Sequence, residues 1–277
     1  MSDNQLAIIA GGGNLSEAII KSANDKGWDV TVFAIGRSSL LKSFNIKLIE
    51  MNKLDIGMIF RVLKSQNIKN ICMVGYIPRP GNLRDYFRFQ SLNIEVLGFL
   101  IKSIGILRGG DASLFKKINA LLEKKGYTII GASQIAPNLT LKCGLYSSRK
   151  VSKIEFENIR KAKHCAEMTG VLDIGQAVVV KNGRVVAIEA AEGTDAMLER
   201  VATIAGISSK RCGVFLKSAQ IDQDERVDMP TIGIETIKNI IKANLSGVAI
   251  TANNVIVLDF QKVVEMIEES NLYFIVI

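Results

Sequence analysis

The sequence predicts an α/β protein of two domains, a parallel-sheet domain over residues 1–135 and a mixed α/β domain over residues 136–277. Three observations carry this. The length of 277 residues suits two domains at roughly 150 residues each. In the first half, short apolar runs alternate with stretches of helical period, which implies a parallel sheet covered on both faces. In the second half, Asn182-Gly183 stands between two alternating apolar runs, the strongest short signal for an antiparallel hairpin.

Taken in order, residues 6–10 read as a strand that ends in the turn Gly11-Gly12-Gly13-Asn14. Leu15, Ala18, Ile19 and Ala23 then recur at helical spacing. Residues 30–35 alternate as a second strand and run into Gly36-Arg37. A helix over 55–63 and a strand over 70–75 precede the turn Pro78-Arg79-Pro80. Residues 83–106 and 113–125 are expected to be helical, and 127–131 to be a strand. The apolar stretch 92–107 is interrupted by Glu95 and Lys102, which suits a core helix better than a membrane-inserting one.

The boundary falls within residues 136–150. A charged helix over 150–168 opens the second domain, and strands over 176–180 and 185–190 flank Lys181-Asn182-Gly183. A helix follows Gly193-Thr194, then a strand over 213–216, a polar loop, and a helix from Thr231. Strands over 248–251 and 255–258 and a last helix and strand complete it.

Composition narrows the function. At 48% hydrophobic and 22% charged residues the chain is ordinary globular protein, not disordered. Cys72, Cys143, Cys165 and Cys212 form no Cys-x-x-Cys pair and no disulfide framework, so reduced thiols are expected. The single histidine, His164, excludes a His-rich metal site and argues against a Ser-His-Asp triad. The opening Met1-Ser2-Asp3-Asn4 has no basic region, so no signal peptide is expected. No stretch reaches the ~20 apolar residues of a membrane span, and a soluble cytoplasmic protein is expected.

The net charge of +8 lies in the first half. Residues 1–134 carry 18 Lys/Arg against 10 Asp/Glu, and residues 135–277 carry 17 against 17. The cations are dispersed, with no nucleic-acid motif, so no nucleic-acid partner is expected. An anionic small molecule, an acidic membrane surface or a merely solvated basic surface all fit.

Glycines between a first strand and first helix let backbone approach a ligand, and the helix N-terminus offers N–H groups to a phosphate. Gly11-x-Gly13-x-x-Ser16 is one substitution from the dinucleotide fingerprint, but the second strand ends at Arg37 where an acid would bind a ribose. Tyr146-x-x-x-Lys150 with Ser133 upstream has the triad spacing of short-chain dehydrogenases, which makes an NADP-dependent oxidoreductase the rival reading.

Two acidic stretches stand out. Glu189-Ala190-Ala191-Glu192-Gly193-Thr194-Asp195 ends a strand and opens a helix. Lys217 closes another strand, and Asp222-Gln223-Asp224-Glu225-Arg226-Val227-Asp228-Met229-Pro230 follows. Carboxylates at strand ends, a glycine at a helix start and nearby cations are the parts of a Mg²⁺ and phosphate site. In an extended segment Asp224, Arg226 and Asp228 face one side. Solvated loops with helix-capping acids are the structural alternative.

These motifs resemble a known family. Ile9-Ala10-Gly11-Gly12-Gly13-Asn14-Leu15, Asp173-Ile174-Gly175-Gln176-Ala177-Val178-Val179-Val180, Glu189-Ala190-Ala191-Glu192-Gly193-Thr194-Asp195-Ala196-Met197 and Asp224-x-Arg226-Val227-Asp228-Met229-Pro230-Thr231-Ile232-Gly233 occur in this order in LpxI-type UDP-2,3-diacylglucosamine pyrophosphatases of lipid A biosynthesis. Ser16, Tyr76, Ala112 and Ser218 depart from that family's pattern, which has proline, lysine, an acid and proline there.

The resemblance implies an N-terminal Rossmann-like domain, a C-terminal α/β domain and the substrate held between them. It also implies Mg²⁺-assisted hydrolysis of UDP-2,3-diacylglucosamine to UMP and 2,3-diacylglucosamine 1-phosphate, with water attacking the α-phosphorus. The catalytic role then falls on Asp228, and the metal on Asp228, Asp224, Glu192 and Asp195. Gly11, Gly12, Gly13, Asn14, Gly75, Arg79, Gln176, Gly193, Thr194, Lys217 and Arg226 are the substrate-binding candidates. The acylated substrate implies a peripheral place on the inner membrane, and a homodimer is left open.

Overall fold

The computed structural model describes residues 4–36, 44, 46–52, 55–75, 119–120, 122–204, 211–220, 226 and 229–277. Arg37, Tyr76, the turn at 78–80, the helix expected at 83–106, most of that at 113–125, Asp224 and Asp228 lie outside the described residues. The chain falls into two compact units, Met1–Pro137 with Arg226–Asp228 and Asn138–Glu225 with Met229–Ile277.

The first unit is built on strands β1 (Gln5–Ala10), β2 (Asp29–Ile35), β3 (Lys47–Met51), β4 (Asn70–Val74) and β5 (Thr128–Ile129). Their order is β3-β2-β1-β4-β5 and every pair is parallel. That is the strand order of the Rossmann fold. Helix α1 (Asn14–Asp25) follows β1, α2 (Ile56–Ser65) joins β3 to β4, and α3 (Ala132–Ile135) follows β5. The strands are nearly continuous apolar runs because helices cover the sheet. α1 buries Ile19, Ile20 and Ala23, and α2 packs Ile59 and Leu63 against Ala7, Phe33 and Ile71.

Asp55 caps α2, its Oδ1 accepting the Met58 N–H at 2.8 Å, so the helix starts one residue after the expected 55. β3 is not among the expected elements. Lys47-Leu48-Ile49-Glu50-Met51 lacks clean alternation and, among the described residues, lies at the sheet edge.

The second unit contains β6 (Gly144–Leu145), α4 (Lys153–Val171), β7 (Ala177–Lys181), β8 (Arg184–Ile188), α5 (Gly193–Ile204) and β9 (Val214–Lys217). It continues with β10 (Thr231–Ile232), α6 (Ile234–Lys242), β11 (Gly247–Ile250), β12 (Ile256–Val257), α7 (Phe260–Glu269) and β13 (Tyr273–Val276). Six strands form a mixed sheet in the order β6-β13-β11-β9-β7-β8. β9, β11 and β13 run parallel, whereas β7 is antiparallel to β8 and β9, and β6 to β13. α4 covers one face with Ile159, Ala162 and Ala166 against Val178, Val214 and Leu216. On the other face Met197, Ile237, Ile240 and Val263 of α5, α6 and α7 pack on Phe215 and Val248.

The hairpin turn has Asn182 at φ 49° and Gly183 at φ 74°, the two left-handed residues of a type I′ turn. α4 starts at Lys153 rather than 150 because Ser152 and Glu155 form a capping box, with the Ser152 N–H donating to Glu155 Oε2 at 2.9 Å. The helix expected from Thr231 starts at Ile234 instead. Thr231 and Ile232 form β10 beside β12, with the Ile256 N–H donating to the Pro230 carbonyl and the Leu258 N–H to the Ile232 carbonyl. Carbonyls used in a ladder are not available to a first helical turn.

All four cysteines are free, and burial pushes the Cys72 thiol up to about 12, which makes it unreactive. Among the described residues no helix is long and apolar enough to cross a membrane.

Candidate functional site

Strand register in the second unit assembles a polar cluster. β7 pairs antiparallel with both β8 and β9, in the registers Val178↔Ile188 and Ala177↔Lys217. The start of β7 and the ends of β8 and β9 therefore share one edge of the sheet. Gln176, Glu189 and Lys217 meet there, with Thr194 arriving from the first turn of α5.

Lys217 Nζ donates to Thr194 Oγ1 at 2.5 Å, and the Thr194 hydroxyl donates to Glu189 Oε1 at 2.6 Å. The Gln176 backbone N–H donates to Glu189 Oε2 at 3.2 Å. Lys217 Nζ also lies 4.0 Å from Glu189 Oε1, with side-chain exposures of only 8% and 12%. Charges this far from water are tolerated when paired and hydrogen-bonded.

The backbone locks this edge. The Glu189 N–H donates to the Ala177 carbonyl at 2.8 Å, and the Ser218 N–H to the Gln176 carbonyl at 2.9 Å. A Cβ on Gly175 would collide with the Glu189 backbone carbonyl, so glycine there permits the approach. Gly193, at φ +82°, opens α5, and its N–H donates to the Ala190 carbonyl at 3.1 Å. Thr251 follows β11 on the same edge, its N–H donating to the Lys217 carbonyl at 3.2 Å. Its Oγ1 is buried with no hydrogen-bond partner among the described residues.

Four of the substrate-binding candidates, Gln176, Gly193, Thr194 and Lys217, are thus brought together. Glu189, whose carboxylate accepts from Thr194 and Gln176, joins them, although the sequence names it only within an acidic stretch. The signal for it is its position directly after the apolar run of β8.

Two of the four acids expected to hold metal, Glu192 and Asp195, have other partners. Glu192 is exposed and its Oε1 takes the Arg200 guanidinium at 2.7 Å. Backbone N–H donation and the Arg200 cation hold its carboxyl below the usual range. Asp195 Oδ1 accepts the Asn239 amide at 3.0 Å. Among the described residues no three His, Cys, Asp or Glu gather in a way that could hold a metal ion. Asp224, Asp228 and Arg79 lie outside the described residues. Arg226 belongs to the first unit, where its guanidinium pairs with Glu123 at 2.6 Å and its Cα would stand 3.0 Å from a Cβ on Gly131.

In the first unit the glycine turn lies between β1 and α1. The Gly11 N–H donates to the Val74 carbonyl at 2.8 Å, and Ser16 Oγ donates to the Gly11 carbonyl at 3.0 Å. Gly13 caps α1 at φ 101° with no side-chain cap, which leaves the first helical N–H groups to other acceptors. Gly75, at φ +83°, ends β4 against this turn.

The oxidoreductase spacing does not build a site. Residues 146–150 are not helical, so Tyr146 and Lys150 do not share a helix face as their i,i+4 spacing would require. The Tyr146 hydroxyl donates to the Lys142 carbonyl at 2.9 Å, and its ring packs on Phe260 and Phe274. His164 is exposed on α4.

Fold and cluster define an α/β protein with one Rossmann-type unit and one mixed-sheet unit that carries a buried lysine–carboxylate edge. The family model of the LpxI N-terminal domain matches residues 5–139, and that of the LpxI C-terminal domain matches residues 142–275. The UDP-2,3-diacylglucosamine pyrophosphatase LpxI of Caulobacter vibrioides is 33% identical over 281 residues, covering 97% of this chain and 96% of that protein. The chain belongs to the LpxI family. The crystal structure of N5-carboxyaminoimidazole ribonucleotide synthetase from Thermotoga maritima aligns with 68% of this chain and 42% of its own at 12% identity. The TM-score of 0.21 is too low to bear on fold or function.

Proposed function

We infer that this chain is a UDP-2,3-diacylglucosamine pyrophosphatase of lipid A biosynthesis, releasing UMP and 2,3-diacylglucosamine 1-phosphate. The observation that carries the reading is the 33% identity, across 97% of the chain, to the enzyme of that name. The reaction adds one water across a phosphoric anhydride. The water oxygen bonds to the α-phosphorus, the bond from that phosphorus to the bridging oxygen breaks, and the sugar 1-phosphate leaves with that oxygen. UMP keeps the new oxygen, and a base takes the water's proton.

Asp228 is assigned to that proton and to holding the water. Lys217, and Gly193 and Thr194 at the start of α5, are assigned to the diphosphate, because a cation and a helix N-terminus both favour anionic oxygens. Gln176, Arg79 and Arg226 are further substrate contacts, and Gly11, Gly12, Gly13, Asn14 and Gly75 offer backbone to the nucleotide. Mg²⁺ is proposed as the cofactor, with Asp228, Asp224, Glu192 and Asp195 as its candidate ligands. Glu192 and Asp195 would have to exchange Arg200 and Asn239 for the ion. When bound, the ion would neutralise diphosphate charge.

Incubation of the pure protein with the acylated UDP-sugar tests the reading. UMP release with Mg²⁺, its loss in EDTA, and ¹⁸O from labelled water appearing in UMP are expected. Label in the sugar phosphate would place attack on the other phosphorus, and unchanged turnover in EDTA would remove the metal. The acyl chains and the basic first half support a peripheral place on the inner membrane. Salt-sensitive sedimentation with anionic vesicles checks this, and light scattering checks for a homodimer.

A further inference from the structure

We propose that Glu189 is a positioning residue of the hydrolytic site, whose carboxylate holds Lys217 and the Thr194 hydroxyl in the orientation that meets the phosphates. This rests on the function proposed above. Both carboxylate oxygens are engaged, Oε1 by the Thr194 hydroxyl and Oε2 by the Gln176 N–H. Among the described residues the groups recorded at the Glu189 carboxylate are two donors, the Thr194 hydroxyl and the Gln176 N–H, and the Lys217 cation, surroundings that suit an anion. Glu189 therefore acts on the site through protein groups.

The threonine hydroxyl has one proton. Because that proton goes to Glu189 Oε1, the oxygen's lone pairs are left to face Lys217, and the hydroxyl rotor has one setting. Lys217 is a flexible cation on four methylenes, and the 2.5 Å bond to Thr194 with a counter-charge at 4.0 Å fixes where its ammonium stands. Gly175 lets the Glu189 backbone come close enough for this, and the registers of β7 with β8 and β9 bring the two strand ends together.

The test uses Glu189→Gln, which keeps shape and loses charge, and Glu189→Asp, which keeps charge and shortens reach. Thr194→Val and the Glu189→Gln/Thr194→Val double variant complete a cycle. Two readouts are taken on the full chain: kcat/KM for the acylated UDP-sugar, and the ¹H–¹⁵N signal of the Lys217 ammonium without substrate. Glu189→Gln and Thr194→Val should each lower kcat/KM by about 10- to 100-fold, the range for misplaced reacting groups. The double variant should be no worse than the weaker single, because both act through one unit.

The Lys217 signal should shift or exchange faster in Glu189→Gln and in Glu189→Asp, with thermal unfolding nearly unchanged in at least one of the two. Additive losses in the cycle, or an unchanged Lys217 signal in both variants, overturn the proposal. The signal decides it even if the wild-type protein releases no UMP, a result that would instead overturn the function.

Discussion

A Cβ on Gly75 would stand 2.6 Å from Ser16 Oγ, so the end of β4 meets the first turn of α1 with no room for a side chain. The same Cβ would stand 2.8 Å from the Gly12 carbonyl oxygen and 3.0 Å from the Gly11 carbonyl carbon, neither of which can rotate away. The Ser16 hydroxyl donates to the Gly11 carbonyl, which ties the turn by a hydrogen bond.

Gly75→Ala should therefore destabilise the protein. The residue sits at φ +83°, and both the strained backbone and the backbone clash act in the folded state alone. A loss of about 1–3 kcal/mol is expected. Urea unfolding should show a lower midpoint at unchanged slope. A midpoint equal to wild type would mean that the glycine turn gives way freely.

Glu155 makes stability depend on acid. Burial pushes its carboxyl up, but the Arg149 guanidinium at 2.6 Å and the backbone and hydroxyl of Ser152 more than offset this and hold it below the usual range. A carboxyl whose folded pKa is depressed contributes stability above its unfolded value, near 4.3, and loses it as pH falls through the folded value. Glu155→Gln should lower the melting temperature at pH 7 and narrow its gap to wild type on acidification below about pH 4. A constant gap from pH 7 to pH 3 would show that the carboxylate's charge contributes nothing.

The sequence made some of this legible and hid the rest for physical reasons. Residues 6–10, the three glycines and the helical period after Asn14 announce strand, turn and helix, because each is a local signal. Asn182-Gly183 does so for the hairpin. β10 is hidden because Thr231 and Ile232 are fixed by pairing with Ile256 and Val257, which no local pattern reports. The polar cluster has the same cause. Gln176, Thr194 and Lys217 could be named one by one, but Glu189 gains its role only when the registers Val178↔Ile188 and Ala177↔Lys217 bring three chain segments to one edge.

Lys217→Met should abolish most turnover. The variant keeps a long apolar stem in a site where only 8% of the side chain is exposed, while the cation beside Thr194 and Glu189 is lost, so thermal unfolding is recorded with the kinetics to confirm that the variant is folded at the assay temperature. Loss of one preorganised electrostatic contact to a phosphate transition state costs about 10²–10³-fold. Steady-state kinetics of UMP release should show this fall in kcat/KM. Activity within threefold of wild type would place the diphosphate elsewhere.

Asp228→Asn is the decisive substitution for the chemistry. Asp228 is followed by Met229, which is buried, and by Pro230, whose ring fixes its own φ and restricts the residue before it. The Pro230 carbonyl is in turn held by the Ile256 N–H at 2.8 Å. On the other side, Arg226 is paired with Glu123 at 2.6 Å. Losing a positioned acid–base group costs at least ~10²-fold in rate, roughly 3 kcal/mol of barrier. Asn keeps the shape and removes the charge, so kcat should fall by that factor. Substrate affinity is expected to persist, and the variant should retain unreacted substrate through gel filtration. If the folded Asn protein keeps more than about a tenth of wild-type kcat, less than 1.4 kcal/mol has been lost and Asp228 does not carry the reaction. Asp224 and Glu192 then become the carboxylates to replace.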